Sequence, residues 1–218
     1  MFTACQSGNV EQDESWRKFF MSEASLSVGY VKKTSVKNNK DSLVYYDKVF
    51  LEEGKIILDR FDSDFKIVRE DINSYDSVRM ILIDATYYYD GIGAVKAKII
   101  EPTIAPYKPT EKTLRTHLEI HPEEDIVISS IAEANYIGNE VYNFNGKDVE
   151  CIKFSYNEEY RITNEDAPED NISHKSKGFT LWGENIGLVY MEFEDNRGTT
   201  EFKVDDILSI EEFEKLKL

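Results

Sequence analysis

The sequence predicts a mainly β protein, a strongly twisted antiparallel sheet or half-barrel with a short helix near each end of the chain. Tyrosine and phenylalanine are abundant, with 13 and 12 copies among 218 residues, and aromatic side chains suit the half-buried surface of a pleated sheet. Apolar and polar residues alternate with a period of two in several segments, as in strands with one buried face. A motif that spells strand, glycine turn and strand occurs twice, which raises the hypothesis of two related halves.

The clearest hairpin lies near the C-terminus. From Val189 to Phe193 the odd-numbered residues are apolar, and residues 195–198 (Asp-Asn-Arg-Gly) have the composition of a turn. The alternation resumes from Thr200 to Val204. We therefore expect two strands joined by a tight turn, with the apolar residues on one face.

Short helices are predicted at both ends. Trp16 and Phe20 recur at helical spacing after residues 1–14, a polar leader that has the composition of a flexible tether. At the other end, Ser209 and Glu212 have the spacing of a capping box, in which each side chain bonds the backbone of the other residue.

The repeated motif relates residues 87–99 to residues 181–193. Three of the thirteen aligned pairs are identical, and they spell Ile-Gly-x-Val in both copies. Residues 101–112 hold three of the five prolines, and this segment is predicted to connect the halves because proline cannot donate to a sheet ladder. The predicted organisation is a leader at 1–14, a first β half at 15–104 and a second β half at 105–218, with one continuous domain as the alternative.

The charge balance excludes one class of partner. The 26 lysines and arginines against 42 aspartates and glutamates give a net charge of -16. Such a surface repels nucleic-acid phosphates and anionic lipid headgroups. We therefore expect no nucleic-acid partner, and contact with a membrane only through an N-terminal lipid anchor.

The two cysteines have different surroundings. Residues 2–5 (Phe-Thr-Ala-Cys) resemble the end of a bacterial lipoprotein signal, in which small residues precede an acylated cysteine. Only four residues precede Cys5, so the sequence does not contain the charged and apolar regions of such a signal. The resemblance implies lipid attachment at Cys5, and an ordinary polar terminus is the alternative. Cys151 lies in a strand-like run and is predicted to be a buried thiol.

The second copy of the motif resembles a known family. Residues 182–192 (Trp-Gly-Glu-Asn-Ile-Gly-Leu-Val-Tyr-Met-Glu) look like the closing hairpin of uncharacterised bacterial envelope lipoproteins of the Bacteroidetes kind. A strand similar to residues 149–154 (Val-Glu-Cys-Ile-Lys-Phe) commonly precedes that hairpin in the family. The resemblance covers residues 126–208 and implies a curved antiparallel sheet on the periplasmic side or the cell surface. It implies no catalytic residues, and the first half departs from it at Ala94.

Catalytic and metal-binding motifs are scarce. The sequence contains no serine nucleophile elbow and no glycine-rich phosphate loop. His117 and His121 lie four residues apart near acidic residues, but Pro122 interrupts a helix there, and we expect a surface rather than a zinc site. Residues 164–177 are predicted to form a loop whose carboxylates lack the spacing of a calcium-binding EF-hand. No catalytic residue, metal or cofactor is predicted.

The best binding candidates are aromatic. Tyr87, Tyr88, Tyr89 and Trp182 lie beside the two glycine turns. If exposed, they would form a stacking platform for a sugar or a groove for an apolar ligand. Strand alternation turns some of them into the core, so the outward members are the expected functional set.

These patterns predict a non-enzymatic, lipid-anchored protein of the bacterial cell envelope that binds a ligand or an envelope partner. Two alternatives remain open. One is a periplasmic carrier or chaperone for an apolar molecule, which a concave apolar cavity would favour. The other is an enzyme with scattered carboxylates, which convergent carboxylates with shifted pKa values in a cleft would favour. A sheet interior filled by side chains would count against both alternatives.

Overall fold

The computed structural model describes residues 16–20, 23–106 and 113–218. The predicted leader with Cys5 therefore lies outside the described residues. The helices are α1 (Arg17–Phe20), α2 (Glu23–Val28) and α3 (Ile210–Leu216). The strands are β1 (Tyr30–Lys37), β2 (Ser42–Glu52), β3 (Lys55–Phe61), β4 (Ile67–Tyr75), β5 (Arg79–Tyr89), β6 (Gly93–Glu101), β7 (Ile104–Pro106), β8 (Thr113–Glu123), β9 (Ile126–Phe144), β10 (Lys147–Asn164), β11 (Ile172–Gly183), β12 (Gly187–Asp195) and β13 (Gly198–Leu208).

The strands form a closed antiparallel barrel. Each strand pairs with the next along the chain, except that β6 pairs with β8, and β13 pairs with β1 to close the ring. The short β7 pairs with β5 and takes no part in the ring. The prediction of a mainly antiparallel β protein with short terminal helices is confirmed. The sheet closes completely instead of stopping as a half-barrel, and closure leaves no long unpaired strand edge.

The predicted C-terminal hairpin and helix are confirmed. Strands β12 and β13 meet at the turn formed by residues 195–198. The Ser209 side chain accepts a hydrogen bond from the Glu212 backbone N–H, and the Glu212 carboxylate accepts one from the Ser209 backbone. One detail differs from the prediction, because a register shift in β11 and β12 turns Val189 outward, where it packs against Cys151.

Residues 164–177 are shorter as a loop than the sequence predicts. Strand β10 runs to Asn164 and β11 begins at Ile172, so only residues 165–171 connect the two strands. The segment from Ile172 to Lys177 looks like a loop because it has few apolar residues. It is held as a strand by backbone pairing with residues 157–162 of β10.

The two copies of the repeated motif point in opposite directions. Strand β5 is separated from β11 by five antiparallel pairings, so their turns lie at opposite ends of the barrel. The aligned residues Tyr88 and Trp182 also face opposite sides of the sheet, since Trp182 packs inside against Phe20. The proposed boundary after residue 104 falls within β7. Internal duplication stays a hypothesis that the barrel does not require.

The N-terminal helices plug one end of the barrel with aromatic side chains. The Trp16 ring lies 4.8 Å from Tyr136 and 5.6 Å from Phe154, measured between centroids. The Phe20 ring lies 5.1 Å from Trp182. Aromatic pairs of this geometry contribute about 0.5–1.5 kcal/mol each beyond their burial. The plug is therefore an apolar core placed at the barrel end, as the spacing of Trp16 and Phe20 indicated.

Two further apolar clusters lie on the outer surface. Helix α3 buries Phe213 completely against Val31 and Tyr46. On another part of the wall, Cys151 is buried with Leu181. Burial, assisted by the nearby Glu140 charge, raises the pKa of the Cys151 thiol to about 11, so this cysteine is an inert part of the core, as predicted.

The Gly178 position tests how closely β11 and β12 approach each other. A Cβ atom at Gly178 would overlap the Glu192 carbonyl oxygen and lie 2.6 Å from the Phe193 Cα. Because both are backbone atoms, we expect Gly178→Ala to lower the free energy of unfolding by about 2 kcal/mol or more. Denaturant titration monitored by circular dichroism measures this change.

Gly183→Ala in the same strand is the matched control. Its Cβ would meet side-chain atoms of Val189 and Val149 at 3.0 and 3.1 Å, which can shift more easily than backbone. We expect a smaller loss of stability, and an equal loss in both variants would contradict the interpretation of Gly178.

Candidate functional site: a charged row inside the barrel

A row of polar side chains crosses five neighbouring strands on the inner face of the barrel. Lys32 in β1 lies opposite Asp47 in β2, and Asp47 lies opposite Arg60 in β3. Arg60 lies opposite Arg69 in β4, and Arg69 lies opposite Tyr87 in β5. Cβ atoms of directly opposed residues are about 5 Å apart. These five residues, called here the charged row, therefore form a continuous belt.

The direction of the row follows from strand alternation. Val31, Tyr46 and Phe61 pack on the outer surface under α3, so their neighbours Lys32, Asp47 and Arg60 face the interior. The sequence disguises this arrangement because the outward residues of these strands are also apolar.

Each arginine of the charged row forms an ion pair with a different aspartate. Arg60 donates from Nε and Nη2 to the two Asp47 carboxylate oxygens at 2.6 and 3.0 Å. Arg69 donates from Nε to Asp71 Oδ1 at 2.8 Å. These charge-assisted bonds offset the repulsion between two opposed guanidinium groups and raise the pKa of each arginine above its ordinary value.

Lys32 has a different environment. Among the residues that the structure describes, no carboxylate oxygen lies within 4.0 Å of its ammonium group, which donates to the Leu188 carbonyl at 3.4 Å. Burial lowers the pKa of Lys32 to about 8, and the charge of Arg60 acts in the same direction while Asp47 opposes it. The charged row and Asp71 together thus bring three cations and two carboxylates to one surface.

A cavity of about 250 Å³ lies between the charged row and the plug. Its polar lining includes Lys32, Asp47, Arg60, Arg69, Asp71 and Asn73, and its apolar lining includes Phe20, Ile56, Leu58, Met80, Leu82 and Trp182. Along the inner face of β3, Ile56 and Leu58 come before Arg60. Along this strand an apolar layer therefore separates the plug from Arg60, whereas the Lys32 ammonium reaches closer to the plug, beside Gly187 and the Leu188 carbonyl.

The opposite wall of the interior is also polar. Glu158 accepts hydrogen bonds from Ser130 Oγ at 2.7 Å and from Tyr156 Oη at 2.9 Å. Burial and the Glu158 charge raise the pKa of Tyr156. Nearer the unplugged end, His174 Nδ1 is buried and has no hydrogen-bond partner among the described residues.

The predicted aromatic site residues do not form one platform. Tyr87 faces the interior, where the Arg69 guanidinium lies 4.9 Å from its ring centroid, and Trp182 lines the cavity. Alternation places Tyr89 on the inner face near the unplugged end and Tyr88 on the outer face. The functional candidates are thus inward residues, contrary to the expectation that they face outward.

Sequence reasoning missed the charged residues that surround Tyr87 and Trp182. Lys32, Asp47, Arg60 and Arg69 come from four strands and share no local motif. The available signal was one charged residue at an inward position on each of these four neighbouring strands. This signal can be recognised only once the strand register is known.

Other predicted ligands stay apart. His117 Nε2 lies 3.2 Å from Ser129 Oγ on the outer face. Within the described ranges, no group of three or more histidine, cysteine, aspartate or glutamate side chains could hold a metal ion.

A helix must be long and apolar to cross a membrane. None of the described helices has both the length and the apolar character that crossing a bilayer requires.

Because the ammonium group of Lys32 is buried, we expect the free energy of unfolding to depend on pH. Its pKa is about 8 in the folded protein, against an ordinary value of 10.5. Between these values the unfolded chain binds more protons than the folded protein, so the free energy of unfolding rises with pH. We expect the stability of the wild type relative to Lys32→Met to increase by about 1.5 kcal/mol from pH 8 to pH 9.5.

Denaturant titrations of both proteins at several pH values measure this difference. Lys33→Met is the matched control because Lys33 lies on the outer face of the same strand, opposite Tyr46. A difference between wild type and Lys32→Met that stays constant over this pH range would contradict the proposed burial of the charge.

Comparison with known proteins gives the fold a precedent. No protein-family model and no curated protein sequence matches the chain. A solved protein from Parabacteroides distasonis, provisionally described as a lipoprotein, is similar with a TM-score of 0.59 and 13% identity, covering 90% of this chain and all of the other. A Bacteroides fragilis protein, provisionally described as exported and as having a YmcC-like fold, is similar with a TM-score of 0.53 and 13% identity, covering 87% of this chain and 98% of the other.

The low identity limits the comparison to architecture. The resemblance to Bacteroidetes envelope lipoproteins, which the Trp182–Glu192 hairpin suggested, is confirmed for the fold. The closed antiparallel barrel of this chain is a YmcC-like fold.

Proposed function

We propose that this chain is an exported, non-enzymatic protein of the bacterial cell envelope that carries a small molecule inside its barrel. The observation that supports the proposal most directly is the cavity of about 250 Å³ between the plug and the charged row. Enclosed pockets with apolar walls and a few placed polar groups are typical small-molecule sites. This proposal joins the envelope prediction to its carrier alternative.

The cavity limits the size of the ligand. A volume of about 250 Å³ has room for roughly eight to ten non-hydrogen atoms, if each takes about the 30 Å³ of a water molecule in the liquid. Such a ligand is much smaller than a polysaccharide or a complete phospholipid. A short amphipathic molecule has a suitable size.

The ion pairs support binding rather than catalysis. Asp47 and Asp71 are each bonded to a guanidinium group, which holds them as structural anions instead of leaving them free for proton transfer. Burial, and next the charge of Glu70, raises the pKa of Asp59, but Asp59 lies on the outer face between the inward residues Leu58 and Arg60. The alternative of an enzyme with scattered carboxylates has less support.

An envelope location is supported by the similar structures and by the N-terminal sequence. The protein from Parabacteroides distasonis carries the description of a lipoprotein, and the protein from Bacteroides fragilis that of an exported protein. Residues 2–5 resemble a lipid-attachment site. Lipid attachment at Cys5 is part of our proposal.

Membrane fractionation tests the anchor. When the full-length gene is expressed in its own bacterium, we expect the wild-type protein in the membrane fraction and Cys5→Ser in the soluble fraction, because a stable anchor requires acyl chains. Cys151→Ser is the control, since Cys151 is buried in β10. Membrane retention of Cys5→Ser would contradict the anchor and leave the carrier function untouched.

Calorimetry tests the carrier function. We expect 1-octanol, octanoate or both to bind the wild-type protein with a dissociation constant below about 1 mM, since ten atoms at about 0.4 kcal/mol each supply about 4 kcal/mol. Met80→Trp would fill the cavity and weaken binding at least about 10-fold. Val141→Trp is the matched control because Val141 is 63% exposed.

The result also depends on the fold of the variants, which their melting temperatures monitor. Absence of binding by both eight-carbon compounds, or equal binding by folded Met80→Trp, would overturn the proposed carrier function.

A further inference from the structure

We infer that the ligand is a monoanionic amphiphile, with an oxyanion head held by Lys32 beside Arg60 and a short apolar tail against the apolar lining of the same cavity. This inference rests on the proposed carrier function and names the chemical class of its ligand. A carboxylate carries this single charge at pH 7, whereas a phosphate monoester carries about -1.5 to -2.

The first argument is the number of unused hydrogen-bond donors at the cavity. An ammonium group has three N–H donors, and the Lys32 ammonium donates to one carbonyl at the long distance of 3.4 Å. A guanidinium group has five donors, and among the described residues Arg69 uses its Nε donor on Asp71. An oxyanion supplies several acceptors in a small volume, which a hydroxyl or an amine head does not.

The second argument is the local charge. Lys203 also borders the cavity, but its exposed side chain lies on the outer face opposite Tyr190. Among the inward side chains, the cations Lys32, Arg60 and Arg69 outnumber the carboxylates Asp47 and Asp71 by one at the cavity wall. One negative charge on the ligand would balance the set. A second negative charge would bring repulsion from Asp47, which lies opposite Lys32, and a cationic head would add to the imbalance.

The third argument is the space left around Lys32. Gly187 begins β12 in a left-handed conformation with φ of +82°, and a Cβ atom there would lie 3.0 Å from Lys32 Nζ. A side chain at this position would therefore compete with the ammonium group for space. Gly187, the glycine of the repeated Ile-Gly motif, thus leaves space around the Lys32 ammonium group. This space lies beside the backbone of α1, because the same Cβ would lie 3.8 Å from the Phe20 carbonyl oxygen.

The position of the ligand's tail follows from the order of side chains on the inner face of the barrel. On β3 the inner-face order is Ile56, Leu58 and Arg60, so moving from the plug towards the other end leads from apolar side chains to charge. Phe20 and Trp182 complete the apolar layer on the plug side. The tail therefore lies against these apolar side chains, and the head lies between Arg60 and the Lys32 ammonium, which reaches towards Gly187 and α1.

Intrinsic fluorescence can report occupancy. The chain has two tryptophans, of which Trp16 packs in the plug and Trp182 lines the cavity. Full-length protein is titrated with octanoate, octyl phosphate, 1-octanol and octylammonium at pH 7. These probes share their tail and differ in the charge of the head.

We expect octanoate to bind at least about 10-fold more tightly than 1-octanol and also more tightly than octyl phosphate, which carries about -1.5 to -2 charges at pH 7, and octylammonium to bind most weakly. Lys32→Met should lose this preference, while Lys33→Met, altered on the outer face of the same strand, should keep it. The ratio of octanoate to octyl phosphate affinity identifies the preferred head. The comparison among probes uses the unaltered chain, so it decides the question even if Lys32→Met fails to fold.

The outcomes separate the two proposals. Binding of 1-octanol, octylammonium or octyl phosphate as tightly as octanoate, or an unchanged preference in folded Lys32→Met, would overturn the monoanion and leave the carrier function standing. Failure of all four probes to bind would overturn both.

Discussion

The pairing of β1 with β13 is the interaction on which the rest of the structure depends. It joins residues 31–37 to residues 201–208 and turns a meander of hairpins into a closed barrel. Strand β1 brings Lys32 to the end of the charged row, and β13 leads directly into α3, which packs on β1 from outside. Without this seam, the sheet would have two free edges and no enclosed interior.

Closure also explains where the apolar cores lie. A barrel filled by apolar side chains would have no room for a ligand or for ion pairs. Here the buried clusters lie in the plug around Phe154, under α3 around Phe213, on the outer wall around Val189, and on one part of the inner wall around Ala85. Only the last of these clusters occupies the inner wall beside the charged row, which leaves the rest of that interior available for charges and a cavity.

The sequence predicted what is local and missed what depends on register. The alternation from Met191 to Val204 and the Ser209–Glu212 capping box each lie within a short segment, and the structure has both. Closure depends on residues about 170 positions apart, and no local pattern encodes that pairing. Aromatic composition identified Tyr87 and Trp182, but their inward direction follows from bulges and pairings that change the face of a residue by a single shift.

The β1–β13 seam has a consequence for the order of folding. Every other pairing in the ring joins strands that are close to each other in the chain, and β-hairpins form within microseconds. The seam must close a loop that contains nearly the whole barrel, although the entropic penalty grows only with the logarithm of loop length. We therefore expect the hairpins to form before the seam, so that the interior cavity closes only when β1 pairs with β13.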